Sequence, residues 1–161
     1  MKSLYDYLTE SKNIGNIPSF QSKDDVLDFF ENTVGLNSYG FGWLYSQVNG
    51  RHVYLKYEKE YDRNIPDDLV INISKTNQKP KGILVSRANR DQGDKNYWAA
   101  FLMDGRIVGD LGSNFDEIKK NFEEFLGVTL KSGNEHDVID IINEIMSKLQ
   151  HMGATWSKVR S

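Results

Sequence analysis

The apolar positions of this chain change period along its length, and the changes mark its elements. Leu4, Tyr7 and Leu8 stand at three- and four-residue spacing, which predicts a short amphipathic helix over residues 3–12. Asn13 to Ser19 breaks the pattern with Gly15 and Pro18 and reads as a linker. A helix this short is marginal in water, so it is expected to dock on its own domain or on a partner. Val26, Leu27, Phe29, Phe30 and Val34 then give residues 23–34 a broad apolar face. Ser22 is the expected cap, Asp25 completes a capping-box-like pattern, and Gly35 is the expected stop.

From Tyr39 the period falls to two. Tyr39, Phe41, Trp43 and Tyr45 alternate with small residues or Leu44, which predicts a strand with an aromatic face. Asn49-Gly50 is a hairpin signal, because both residues tolerate positive φ. Beyond it, Val53, Leu55 and Tyr57 form one face of a second strand, and His52, Tyr54, Lys56 and Glu58 form the other. Residues 60–68 read as a polar loop, Leu69 to Ile73 as a strand and Gly82 to Ser86 as a central strand. Tyr97 to Met103 and Arg106 to Asp110 form a second hairpin about Asp104-Gly105.

The helical period returns twice. Asp116 to Leu126 carries Ile118, Phe122, Phe125 and Leu126 on one side, and residues 135–149 carry Val138, Ile141, Ile142, Ile145, Met146 and Leu149. The tail after Leu149 shows no period, and its one large anchor is Trp156. The expected fold is α+β: a mainly antiparallel sheet of five or six strands with helices before and after it. Residues 20–161 make one domain, and residues 1–19 make a helix-and-linker docking segment.

Composition narrows the class. The chain has 161 residues, 39% hydrophobic and 27% charged, which suits one folded domain rather than a disordered chain. No apolar run approaches the roughly 20 residues that span a bilayer, so no membrane role is expected. Acids interrupt the first dozen residues where a signal peptide would be apolar. The absence of cysteine removes disulfides and thiolate chemistry and is compatible with a cytoplasmic setting. Net charge is −3, and neither half of the chain is basic, which disfavours duplex DNA as a partner.

Each candidate site has two readings. Tyr39, Phe41, Trp43 and Tyr45 could stack on bases, a peptide or a glycan, or they could pack within the fold; Tyr54 joins Tyr39 and Trp43 as a candidate base-stacker, on the same face or the opposite one according to the hairpin register. Gly40 and Gly42 leave the opposite face bare, so a helix or a ligand can approach the backbone. Arg87, Arg90 and Asp91 sit in the most polar loop, where two guanidiniums could clamp an anion or simply meet water. Together with Asp110 and His52 they are the candidate set for a small hydrolase or nuclease, if the fold brings them into one cleft. Asp104, Asp110 and Asp116 could cluster, or serve separately as turn and cap residues. Tyr61 stands in the charged loop Tyr61-Asp62-Arg63-Asn64, suited to protein contact. Trp156 either staples the last helix to the core or reaches a partner.

No phosphate loop, dinucleotide loop or nucleophile elbow is present, and no histidine pair has metal-ligand spacing. No cofactor and no metal are expected. The opening residues Met1 to Ser11, MKSLYDYLTES, resemble the start of uncharacterised proteins of tailed phages and prophages of gut bacteria. The resemblance implies a phage or infected-cell setting and a shared docking segment, and it implies no activity. The leading expectation is a non-enzymatic protein-interaction module: a virion component, a cargo protein or an inhibitor of a host factor. Leu4, Tyr5, Leu8, Tyr39, Trp43, Tyr61 and Trp156 are its candidate contacts. The alternatives are the small enzyme and a binder of single-stranded nucleic acid or a small ligand.

Overall fold

The computed structural model describes residues 13–62, 64–74, 97–103, 105–109, 115–127, 129–131 and 138–159. The expected helix over 3–12, the strand at Gly82 to Ser86 and the polar loop at 87–95 lie outside them. In chain order the strands are β1 (Asn13–Gly15), β2 (Phe41–Val48), β3 (Arg51–Glu58), β4 (Asp68–Ser74), β5 (Tyr97–Leu102), β6 (Ile107–Gly109) and β7 (Trp156–Lys158). The helices are α1 (Lys23–Phe29), which runs into a π-turn at Phe30–Val34, α2 (Phe115–Leu126) and α3 (Val138–His151). The fold is α+β. Its sheet has the order β1-β7-β2-β3-β4-β5-β6, with every pair antiparallel.

The central hairpin forms as its pattern requires. Asn49 and Gly50 both take positive φ, and the register runs from Val48 opposite Arg51 to Phe41 opposite Glu58. Leu44, Val48, Val53, Leu55, Tyr57, Leu69, Ile71, Ile73, Ala99 and Phe101 face the helices and share one core with Val26, Phe30, Phe122, Ile142 and Leu149. Gly42 lies on this side. A Cβ there would come within 2.9 Å of Leu36 Cδ2 and 3.2 Å of the Gly35 carbonyl, so the bare backbone lets the π-turn pack directly on β2. Asp25 N–H donates to Ser22 Oγ and Asp25 Oδ2 accepts from Gln21 N–H, so the cap at α1 is reciprocal, though it reaches one residue further back than the usual box.

The opposite face of the sheet is closed as well. Trp43, Tyr54, Lys56, Glu58, Asp68, Val70, Asn72, Ala100 and Leu102 are all buried. The aromatic face of β2 therefore points away from the helices, with Trp43 buried, Phe41 and Tyr45 half-buried and Tyr39 exposed. Tyr54 pairs with Tyr45 in register, with ring centroids 5.0 Å apart, so the two aromatic runs share one face.

Two differences from the sequence pattern concern the ends. Residues 13–19, expected as a linker, supply β1 and the buried Ile17. Their hydrogen bonds explain why: Asn143 of α3 accepts from Phe20 N–H and donates to the Phe20 carbonyl, and Gln150 accepts from Ile17 N–H. The tail after Leu149, which has no readable period, supplies β7 between β1 and β2. Gly153, at φ 98°, and the Ala154 N–H donating to the Leu149 carbonyl close α3 and send the chain back to the sheet. Trp156 is thereby fully buried and acts as a staple; as a partner contact it is out of reach. No helix of the described residues is long and apolar enough to cross a membrane.

Truncating Trp156 to Ala is expected to cost about 3–5 kcal/mol in chemical denaturation, because it removes one of the largest buried side chains among the described residues. Trp156→Phe is expected to cost clearly less, since the indole N–H finds no hydrogen-bond partner among the described residues.

Candidate functional site

The site lies at the end of the sheet where β3 gives way to β4. The register places Glu58 directly opposite Asp68, and both are buried. Like charges facing each other across a ladder repel, and burial multiplies the cost. The structure resolves the conflict with Lys56, whose Nζ lies 2.5 Å from Glu58 Oε1. That ammonium is 4.2 Å from the centre of the Phe41 ring and 5.1 Å from that of Trp43, the register neighbours of Glu58 and Lys56. A cation enclosed by aromatic faces keeps part of the stabilisation it loses with its hydration.

Lys56 pairs with Glu58 and offsets the charge of Asp68 only in part. Burial, then the charges of Glu58 and Glu60, push the Asp68 carboxyl up to about 8. Burial raises Glu58 too, against the pull of Lys56. At neutral pH Asp68 therefore keeps its proton and hydrogen-bonds Glu58. Glu58, Glu60 and Asp68 each offer an oxygen within 4.8 Å of the others, a spacing that could suit an oxygen-ligated cation. Lys56 already supplies the positive charge there, and binding a metal would require the Asp68 proton to leave.

Glu60 belongs also to the loop that follows. Asp67 Oδ1 accepts from Glu60 N–H at 2.8 Å, while Asp67 Oδ2 accepts from the Tyr57 hydroxyl at 2.6 Å. Tyr57 is itself stacked on Phe30, with ring centroids 5.1 Å apart. Burial and the bond to Asp67 raise the phenol, so it stays a donor. Lys59 pairs with Glu31 of the π-turn at 2.6 Å, and its N–H donates to the Gly40 carbonyl. Asp62 Oδ1 accepts from Asn64 N–H in an Asx turn. The loop is thus fastened to the core, the π-turn and the start of β2.

Between this loop and the start of α1 lies a pocket of about 510 Å³. Asp24, Glu60, Asp62 and Asp67 contribute acidic groups to its lining, with Lys23 as the basic one among the described residues. Leu27, Ile65, Pro66 and Met103 give it an apolar wall. Burial, then Asp67 and Asp62, raise the Glu60 carboxyl, the mark of a site with surplus negative charge. Ile65 of the lining is 49% exposed, and Tyr61, on the same loop but outside the lining, is 70% exposed with its ring beside Lys59. Tyr39 is 75% exposed on the adjoining turn, and a Cβ on Gly40 would lie 3.3 Å from the Tyr61 ring.

Of the residues singled out from the sequence, Tyr39 and Tyr61 come together here. Trp43 and Tyr54 are buried and cannot stack on bases as they stand. His52 sits at the hairpin end of β3, about 20 Å from Glu58 at the usual rise per residue. It shares a 2.6 Å hydrogen bond with the Tyr45 hydroxyl. Leu4, Tyr5, Leu8, Arg87, Arg90, Asp91 and Asp110 lie outside the described residues. Lys56, Glu58, Glu60, Asp67 and Asp68 were not singled out from the sequence. The available signal was large residues on both faces of β3, which implies a strand buried on both sides and hence a paired Lys56 and Glu58.

No protein-family model, curated protein or solved structure matches this chain.

Two stability measurements test the buried charges. Lys56→Met leaves Glu58 buried without its counter-charge and is expected to cost about 3–5 kcal/mol, whereas Lys56→Met with Glu58→Leu is expected to recover most of it. The pH profile tests Asp68. Its ordinary value is 3.8, and its folded value is about 8. Between them the folded chain binds the extra proton, so stability falls as pH rises across this window and the loss is complete above it. Asp68→Asn is expected to flatten the fall and to melt higher than the parent at pH 8; an unchanged slope would show that Asp68 is ionised in the fold.

Proposed function

We propose that this chain is a non-enzymatic protein-interaction module that meets its partner with the end of the sheet formed by residues 37–40 and 59–67. One observation carries the reading. The large hydrophobic side chains that stand exposed among the described residues are Tyr39, Tyr61 and Ile65, and all three lie on these adjoining loops. Exposed aromatics on a firmly held backbone suit protein contact, because tyrosine buries much area at small entropic cost. The hydrogen bonds of Asp67 and the Lys59–Glu31 pair hold that backbone. The resemblance of residues 1–11 to tailed-phage proteins suggests a virion or an infected bacterium as the setting, with Leu4, Tyr5 and Leu8 as a second contact.

Affinity capture from native cell or virion extract tests this with the parent chain and with Tyr39→Ser/Tyr61→Ser. Both residues are exposed, so the variant is expected to keep its stability within about 0.5 kcal/mol. A stoichiometric partner held by the parent and lost by the variant supports the reading. Equal capture by both, or no partner with either, overturns it.

A further inference from the structure

We propose that the pocket between α1 and the 59–67 loop receives a lysine or arginine side chain from a basic segment of the protein partner. This rests on the interaction reading above and adds the chemistry of the contact. The charge of the pocket is one-sided: Asp24, Glu60, Asp62 and Asp67 against Lys23 among the described residues. The apolar wall of Leu27, Ile65, Pro66 and Met103 matches the other half of such a side chain, its aliphatic stem. A volume of about 510 Å³ is ample for one long side chain with its flanking backbone.

Placement favours a cation over other occupants. Asp67 is fixed by the Tyr57 hydroxyl and Glu60 N–H, and Asp62 by its Asx turn, so two carboxylates are positioned before a partner arrives. An anion would meet these acids, and a purely apolar side chain would strand them. Ile65, half-exposed in the lining, can cover the residues flanking the inserted one. A free divalent cation would find the acids but leave the apolar wall unused.

The probe is a tetra-arginine peptide, titrated into the isotopically labelled full chain and followed by NMR. Its uncharged isostere, tetra-citrulline, and tetra-lysine are run beside it. Arg63→Ala serves as a second background, so that the loop's own arginine cannot compete for the carboxylates. The expected result is saturable shifts at the Ile65 and Met103 methyls and at amides 60–67, with arginine and lysine peptides and not with citrulline. Asp24→Asn/Asp62→Asn is expected to weaken binding about tenfold or more, since charge-assisted hydrogen bonds become neutral ones. Asn keeps the turn acceptor at residue 62, so the loop is preserved. Glu124→Gln/Asp140→Asn, at exposed positions on α2 and α3, removes the same charge elsewhere and is expected to leave affinity within about twofold. Shifts spread over the surface, equal binding of citrulline, or equal weakening by the two double variants overturns the proposal. If capture from extract still depends on Tyr39 and Tyr61 while the peptides fail, the interaction reading stands and the basic-residue chemistry falls.

Discussion

The central hairpin of this protein is buried on its helix face and, at Trp43, Tyr54, Lys56 and Glu58, on the other face too, and that constraint governs its chemistry. Antiparallel sheets with helices on one side commonly leave the other side to water, which is why they alternate apolar and polar residues. Here the second face carries Trp43, Val70 and Ala100 in the interior, and Lys56 and Glu58 alternate into the same space. Two ionic groups taken out of water must find each other. They do so as neighbours on one strand, with Phe41 and Trp43 around the ammonium. The pair contributes little net stability by itself, but breaking it strands a buried charge.

The same constraint explains the surplus acidity at the end of the sheet. Lys56 pairs with Glu58 and only partly offsets the facing Asp68, whose carboxyl is pushed up to about 8 and keeps its proton at neutral pH. Glu60 and Asp67, just beyond the strand ends, add to a field that no described cation cancels in full. Glu60 is common to this cluster and to the pocket beside α1. The loop that carries the exposed Tyr61 and Ile65 is also the loop tied down by Tyr57 and Asp67.

The hairpin, the two later helices and the α+β class were legible in the chain because each rests on local periodicity and turn chemistry. Asn49-Gly50 needed no partner to announce a turn, and the spacing of Ile141, Ile142 and Ile145 needed none to announce a face. The candidate site was legible only in part. Tyr61 could be read as a contact residue from its charged loop. Glu60, Asp67 and Asp68 could not, since residues 60–68 look like any solvated loop until the ladder sets Glu58 against Asp68. Trp156 was ambiguous for the same reason: nothing near it in sequence says that Gly153 turns the chain back into the sheet.

The sequence by itself determined which segments curl and which extend, because helix and strand are set by interactions a few residues apart. It also determined the acidic balance and the lack of thiol chemistry. Only the tertiary structure decided that three-residue strands at Asn13–Gly15 and Trp156–Lys158 complete the sheet, since such short runs gain stability solely from the neighbours that accept them. Only the tertiary structure buried Trp43 of the β2 aromatic run while leaving Phe41 and Tyr45 half-covered and Tyr39 outside. And only cross-strand register could gather Lys56, Glu58 and Asp68, because electrostatic cost depends on distance and burial, which a linear chain does not contain.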